Sequence, residues 1–145
     1  MSATNAFETS LLQLILKNTT LANLGDATGI VGSGSDGNLF ISLHTADPGE
    51  TGTQLTSEAA YTSYARVTVN RTTGWTVSGA TGDNLAAITF PQATGGGETE
   101  VSFVVGSAGN GTGNAFLYGS LTSALGVSNG ITPEFAAGAL DITLD

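Results

Sequence analysis

Residues 43–52 read Leu-His-Thr-Ala-Asp-Pro-Gly-Glu-Thr-Gly and hold the chain's one histidine, with acids three and six positions further on. A histidine so close to carboxylates could serve a metal, a general base or neither. Zinc sites commonly draw on two or more nitrogen or sulfur ligands, and one histidine with no cysteine cannot supply them. A Ser-His-Asp arrangement would have to use His44, yet no Gly-x-Ser-x-Gly elbow occurs. The remaining reading is structural. His44 ends a strand, and Ala-Asp-Pro-Gly-Glu turns the chain, with Pro48 presetting φ and Gly49 supplying a permissive backbone.

Other chemistry-bearing patterns fare no better. Residues 32–37, Gly-Ser-Gly-Ser-Asp-Gly, match the glycine spacing of a dinucleotide loop. That loop works only between a strand and a helix, where the helix N-terminus receives the pyrophosphate. Here the segment precedes a strand, so it reads as a flexible connector. Glu98 and Glu100 would share a strand face as paired carboxylates. They follow three glycines at 95–97, and that setting predicts a solvated hairpin loop. Trp75, the sole tryptophan, reads as core, with an interface anchor as the alternative. Arg66, just after Tyr61 and Tyr64, fits a structural ion pair or a clamp on backbone carbonyls. No catalytic residue, metal or cofactor is expected.

Charge narrows the partners. Only Lys17, Arg66 and Arg71 are basic, against twelve acids, and the net charge is -9. Three cations cannot line a phosphate backbone, and the acidic field repels nucleic acid and anionic membrane surfaces. Neither is expected as a partner. No apolar run reaches the roughly eighteen residues that a membrane helix needs. The absence of cysteine fits assembly in a reducing compartment, and the N-terminus has no basic stretch of the kind that opens a secretory signal.

What would position these residues is mostly strand. Residues 5–17 form the one helix candidate. Asn5 and Glu8 have cap-then-acid spacing, and Phe7, Leu11, Leu14 and Ile15 recur at helical intervals, with Leu12 and Leu16 widening the apolar face. So apolar a helix must lie on its own domain or on a neighbour, and Phe7, Leu11, Leu14 and Ile15 are the candidate interaction face. Period-two alternation then predicts strands at 38–45, 66–71, 74–77, 84–90, 99–105, 114–121 and 139–145. The pair 66–71 and 74–77 is expected to fold back across a Thr-Thr-Gly turn. In the last segment Leu140, Ile142 and Leu144 should face inward, and Asp141, Thr143 and Asp145 outward. One domain over 1–145 follows, with a helix and connector arm at 1–37 and sheet at 38–145. The fold class is mainly β: an antiparallel β-sandwich or jelly-roll-like barrel with one N-terminal α-helix. No internal repeat or heptad run predicts a fibrous shaft.

The stretches Leu-His-Thr-Ala-Asp-Pro-Gly-Glu (43–50), Tyr-Thr-Ser-Tyr-Ala-Arg-Val (61–67) and Phe-Ala-Ala-Gly-Ala-Leu-Asp-Ile-Thr-Leu-Asp (135–145) carry a family likeness. With 74–79, 84–96 and 115–122, they resemble a family of small bacteriophage virion proteins over residues 38–145. Members are labelled tail fibre or minor tail proteins, and some are similar to capsid decoration, or cement, proteins. The glycine-rich insert at 28–37 departs from that pattern. The resemblance implies a structural protein without catalytic residues. The first expectation is a cement protein on the outer surface of the head, assembled in the host cytoplasm. It would bind the major capsid protein and copies of itself, as a dimer or trimer, and bridge neighbouring capsomers. The alternative is a tail fibre or minor tail protein that meets tail proteins and the host surface.

Overall fold

The computed structural model describes residues 2–144. Among them are one helix, α1 (Asn5–Lys17), and nine strands. These are β1 (Asn38–His44), β2 (Val67–Asn70), β3 (Trp75–Ser78), β4 (Thr81–Asn84), β5 (Ile88–Thr89), β6 (Gly97–Gly106), β7 (Ala115–Ser128), β8 (Glu134–Phe135) and β9 (Asp141–Thr143). The chain is mainly β with antiparallel sheets and a single N-terminal helix, in keeping with a β-sandwich. Its strands form three sheets, ordered β2-β1-β6-β7, β3-β4-β9 and β5-β8. Residues cluster into two compact units, each drawn from separated segments: 1–38, 70–87 and 135–145 in one, 39–69 and 88–134 in the other.

The first unit is built on α1. Thr4 caps the helix, one residue before the Asn5 expected from sequence, and its hydroxyl accepts from the Phe7 amide. Asn18 closes the other end in the left-handed conformation, φ 56°, with its N–H bonded to the Gln13 carbonyl. Glu8, Leu12 and Leu16 are the buried residues of the helix, which packs on β3 and β4. Contact is close enough that a Cβ on Gly82 would lie 2.4 Å from a Leu16 methyl. Any larger residue there would have to displace that methyl. Trp75 is fully buried in this unit, so it belongs to the core. Leu140 and Ile142 are buried, with Asp141 and Thr143 exposed, as alternation predicts. Leu144 is half-buried, and Asp145 lies outside the described residues.

Pairing departs from expectation in two places. β3 pairs with β4 (Trp75↔Asn84 to Ser78↔Thr81) rather than with β2, and β2 joins β1. The turn between β2 and β3 does form, with the Asn70 side chain accepting from the Thr72 and Thr73 amides, but the strands then part into different sheets. The strand expected over 84–90 is split as well. Asn84 ends β4, its amide donates to the Ala86 and Ala136 carbonyls, and its Oδ1 accepts from the Leu140 amide. That buried side chain turns the backbone, and only Ile88–Thr89 resumes as strand.

The second unit holds most of the four-stranded sheet. β1 runs antiparallel to β6, Phe40↔Gly106 through His44↔Ser102. Leu39, Ile41 and Leu43 are buried, and so are Ser42 and His44 on the opposite face. Tyr61 meets Tyr64 edge-on at 5.3 Å, and Tyr64 stacks with Phe90 at 6.3 Å. Gln54 is fully buried, with its amide on the Phe40 carbonyl and its Oε1 accepting from Ala108. It fills the space that a Cβ on Gly106 or Gly113 would take.

Candidate functional site

His44 is wholly buried. Its Nδ1 lies 2.8 Å from the Thr56 carbonyl, which can only accept, so Nδ1 carries the proton. Nε2 therefore accepts from Ser42 Oγ, also at 2.8 Å. Burial holds the imidazole below its ordinary pKa, outweighing the Thr56 bond that favours the charged form. A serine hydroxyl on a neutral histidine has the geometry of a nucleophile and its base. Here neither side chain reaches solvent, and a backbone carbonyl stands where an orienting acid would. Asp47 is elsewhere engaged, accepting from the Gly49 amide at 2.9 Å in the turn, where Gly49 takes φ 66°. The pair ties β1 to the 53–58 segment.

Glu98 and Glu100 are not in a solvated loop. Both lie on β6, which begins at Gly97. Glu98 Oε1 accepts from the amides of Ala60 and Tyr61 at 2.8 and 2.7 Å. Glu100 is fully buried, and neither of its carboxyl oxygens has a hydrogen-bond partner. Burial, with Glu98 beside it, pushes the Glu100 carboxyl up to about 8. Nothing in its surroundings could have been read from its spacing, because the three glycines at 95–97 read as a hairpin loop, whereas β6 begins at the last of them.

Arg66 meets both expectations at once. Its guanidinium grips Glu58 through Nε at 2.6 Å and one terminal nitrogen at 2.7 Å, and it also donates to the Ala108 and Gly111 carbonyls. Tyr64 adds its hydroxyl to Glu58. This cluster lines an open pocket of about 260 Å³ with Gly109 and Asn110, and its charges are spent on one another. The other cations are also turned inward. Lys17 donates to the Thr72 and Trp75 carbonyls. Arg71 donates to the Leu14 and Ile15 carbonyls at the negative end of α1. With all three basic side chains engaged internally, the surface charge is acidic.

The helix face is divided. Phe7 is 41% exposed, and Leu11, Leu14 and Ile15 are half-buried, while their neighbours Leu12 and Leu16 carry the packing. The four candidate residues therefore form a partly open apolar stripe beside the buried one. Among the described residues, no helix is long and apolar enough to cross a membrane. No group of three or more histidine, cysteine, aspartate or glutamate side chains there could hold a metal.

A family model described as podophage GP4 fiber I protein gp80 matches residues 2–143. The chain belongs to this family. It is a bacteriophage virion structural protein, and the match takes in the N-terminal helix, which fits the likeness more loosely by sequence, together with the 28–37 insert. No curated protein sequence matches the chain at a significant level.

Proposed function

We propose that this gp80-family chain is a fibre component on the outside of the virion, working through its surface and without catalysis. One observation carries the reading: the fibre family model spans residues 2–143, almost the whole chain, rather than a grafted part of it. The inward-turned cations support an exterior role, since an acidic surface is not drawn to the packaged genome. Its partners in this reading are tail proteins and further copies of itself, with no nucleic acid and no membrane.

Capsid decoration is the second reading. It is favoured by a sequence without internal repeat or heptad run, the usual material of a shaft. It is also favoured by the open stripe of Phe7, Leu11, Leu14 and Ile15, which could dock on the major capsid protein. Gold-labelled antibody on purified virions separates the two. The fibre reading expects label at the tail and few copies per particle. Even labelling of the head, in numbers comparable to the major capsid protein, would replace it with decoration.

A further inference from the structure

β7 stands at one end of the order β2-β1-β6-β7 and, at 14 residues, is the longest strand among the described residues. One of its edges pairs with β6 from Gly97↔Ser128 to Gly106↔Ala115. The other meets no strand of the described residues, leaving a row of backbone donors and acceptors open. Edges of this length are ordinarily blunted by lysine, proline or inward-pointing charge. β7 has no charged residue and no proline, and no charge occurs anywhere from Val101 to Pro133. Phe116 and Tyr118 are 49% and 40% exposed, and Ser120, Thr122 and Ala124 continue the exposed row.

We propose that this edge is where two copies of the chain join, β7 against β7, antiparallel about a two-fold axis, to give one continuous eight-stranded sheet. Charge identifies the occupant. Each copy carries -9 with its cations turned inward, so most approaches between copies bring carboxylates together. Approach along β7 brings none of its own, and the acids opposite it on β6 are occupied or withdrawn, Glu98 on the Ala60 and Tyr61 amides and Glu100 in the interior. A basic partner of another kind would be drawn to the acidic faces, not to this neutral run. An antiparallel strand pair is also self-complementary, as a two-fold interface demands. The inference holds for a fibre component and for a decoration protein alike.

The test is self-association of the purified full chain, followed by sedimentation across a dilution series. The wild type should dimerise, and amides of 115–128 should gain hydrogen-exchange protection as the dimer forms. Ser120→Lys with Thr122→Lys should weaken association at least tenfold. The change takes each copy from -9 to -7 (-9 + 2), so reduced charge repulsion cannot be the cause. Ser120→Thr with Thr122→Val should leave the dimer intact. Circular dichroism checks that the lysine variant is folded; if it is not, the wild-type exchange pattern decides. A wild type that stays monomeric, a closed trimer, or protection gained elsewhere than 115–128 overturns the proposal. So does a dimer lost in Leu11→Lys with Leu14→Lys but kept in the folded edge variant.

Discussion

Two glutamates of the second unit are withdrawn from water, and their surroundings are opposite. Glu58 receives both arms of Arg66 and the hydroxyl of Tyr64. Glu100 has no cation or hydroxyl to receive, only the carboxylate of Glu98 beside it, although its side chain is the more deeply buried. In the first case the removal of a charge from water is compensated by short, charge-assisted bonds. In the second the carboxyl avoids the cost by holding its proton. The contrast teaches that burial of an acid does not by itself indicate a stabilising charge or a working one. The donors around it decide.

Removing the donor from Glu58 should have the largest effect. Arg66→Ala leaves an almost buried carboxylate, and the Ala108 and Gly111 carbonyls, without partners. A loss of about 4 kcal/mol in denaturant unfolding is expected. Glu58→Leu combined with Arg66→Met should recover part of that loss, because no orphaned charge remains. A double variant as unstable as the single would show that the bonds to 108–111, not the ion pair, hold this region.

Glu100 should respond in the opposite sense. Its pKa is near 4.5 in an ordinary setting and about 8 in the fold. The folded state therefore binds the proton more tightly. Its stabilising effect is complete below about pH 4.5 and is lost as pH rises to about 8. Glu100→Gln keeps the shape and removes that slope, so the variant should exceed the wild type by at most about 4 kcal/mol at pH 8, with solvent screening bringing the gain down to about 3, and match it near pH 4. Thermal or urea unfolding at the two pH values measures the difference. Equal pH dependence in the two proteins would mean that Glu100 is solvated or paired in solution.

The first unit offers a milder version of the same contrast, with a cation serving carbonyls instead of a carboxylate. Lys17→Met removes the donor to the Thr72 and Trp75 carbonyls while retaining most of the stem. The expected loss is about 1–2 kcal/mol. Urea unfolding of the variant and the wild type measures it, and an unchanged midpoint would mean that water replaces the ammonium at both carbonyls.

How much of this was legible in the sequence follows from the range of the interactions. The helix over 5–17 and the inward set Leu140 and Ile142 rest on local periodicity, and they appear where the pattern puts them. His44 and the Asp47 turn were legible for the same reason. The partner of β3 was not, because a Thr-Thr-Gly turn specifies a reversal without specifying which strand is beside it. β4 escaped notice because Thr-Gly-Asp-Asn has no apolar alternation of its own, and Gly82 serves there by letting Leu16 approach. The burial of Glu100 and the length of β7 were illegible too: each depends on what the neighbouring strand does, and β7 runs seven residues past its expected end through a neutral stretch.

The smallest effect lies on the exposed side of the β4–β9 pair. Asp83 and Asp141 stand directly opposite each other in the register. Asp141, close enough to share a proton, holds the Asp83 carboxyl above its ordinary value, with partial burial and like charge acting in the same direction. Two carboxylates facing across a strand pair repel, but water around them screens most of the repulsion. Asp141→Asn should thus stabilise the chain by only about 0.5 kcal/mol at pH 7. The gain should disappear at low pH, once Asp83 holds its proton and the pair no longer carries two like charges. It should shrink with added salt, whereas the Glu100→Gln gain, arising chiefly from desolvation and only secondarily from Glu98, should change less. A salt-insensitive gain at Asp141 would place its origin in strand preference rather than in charge.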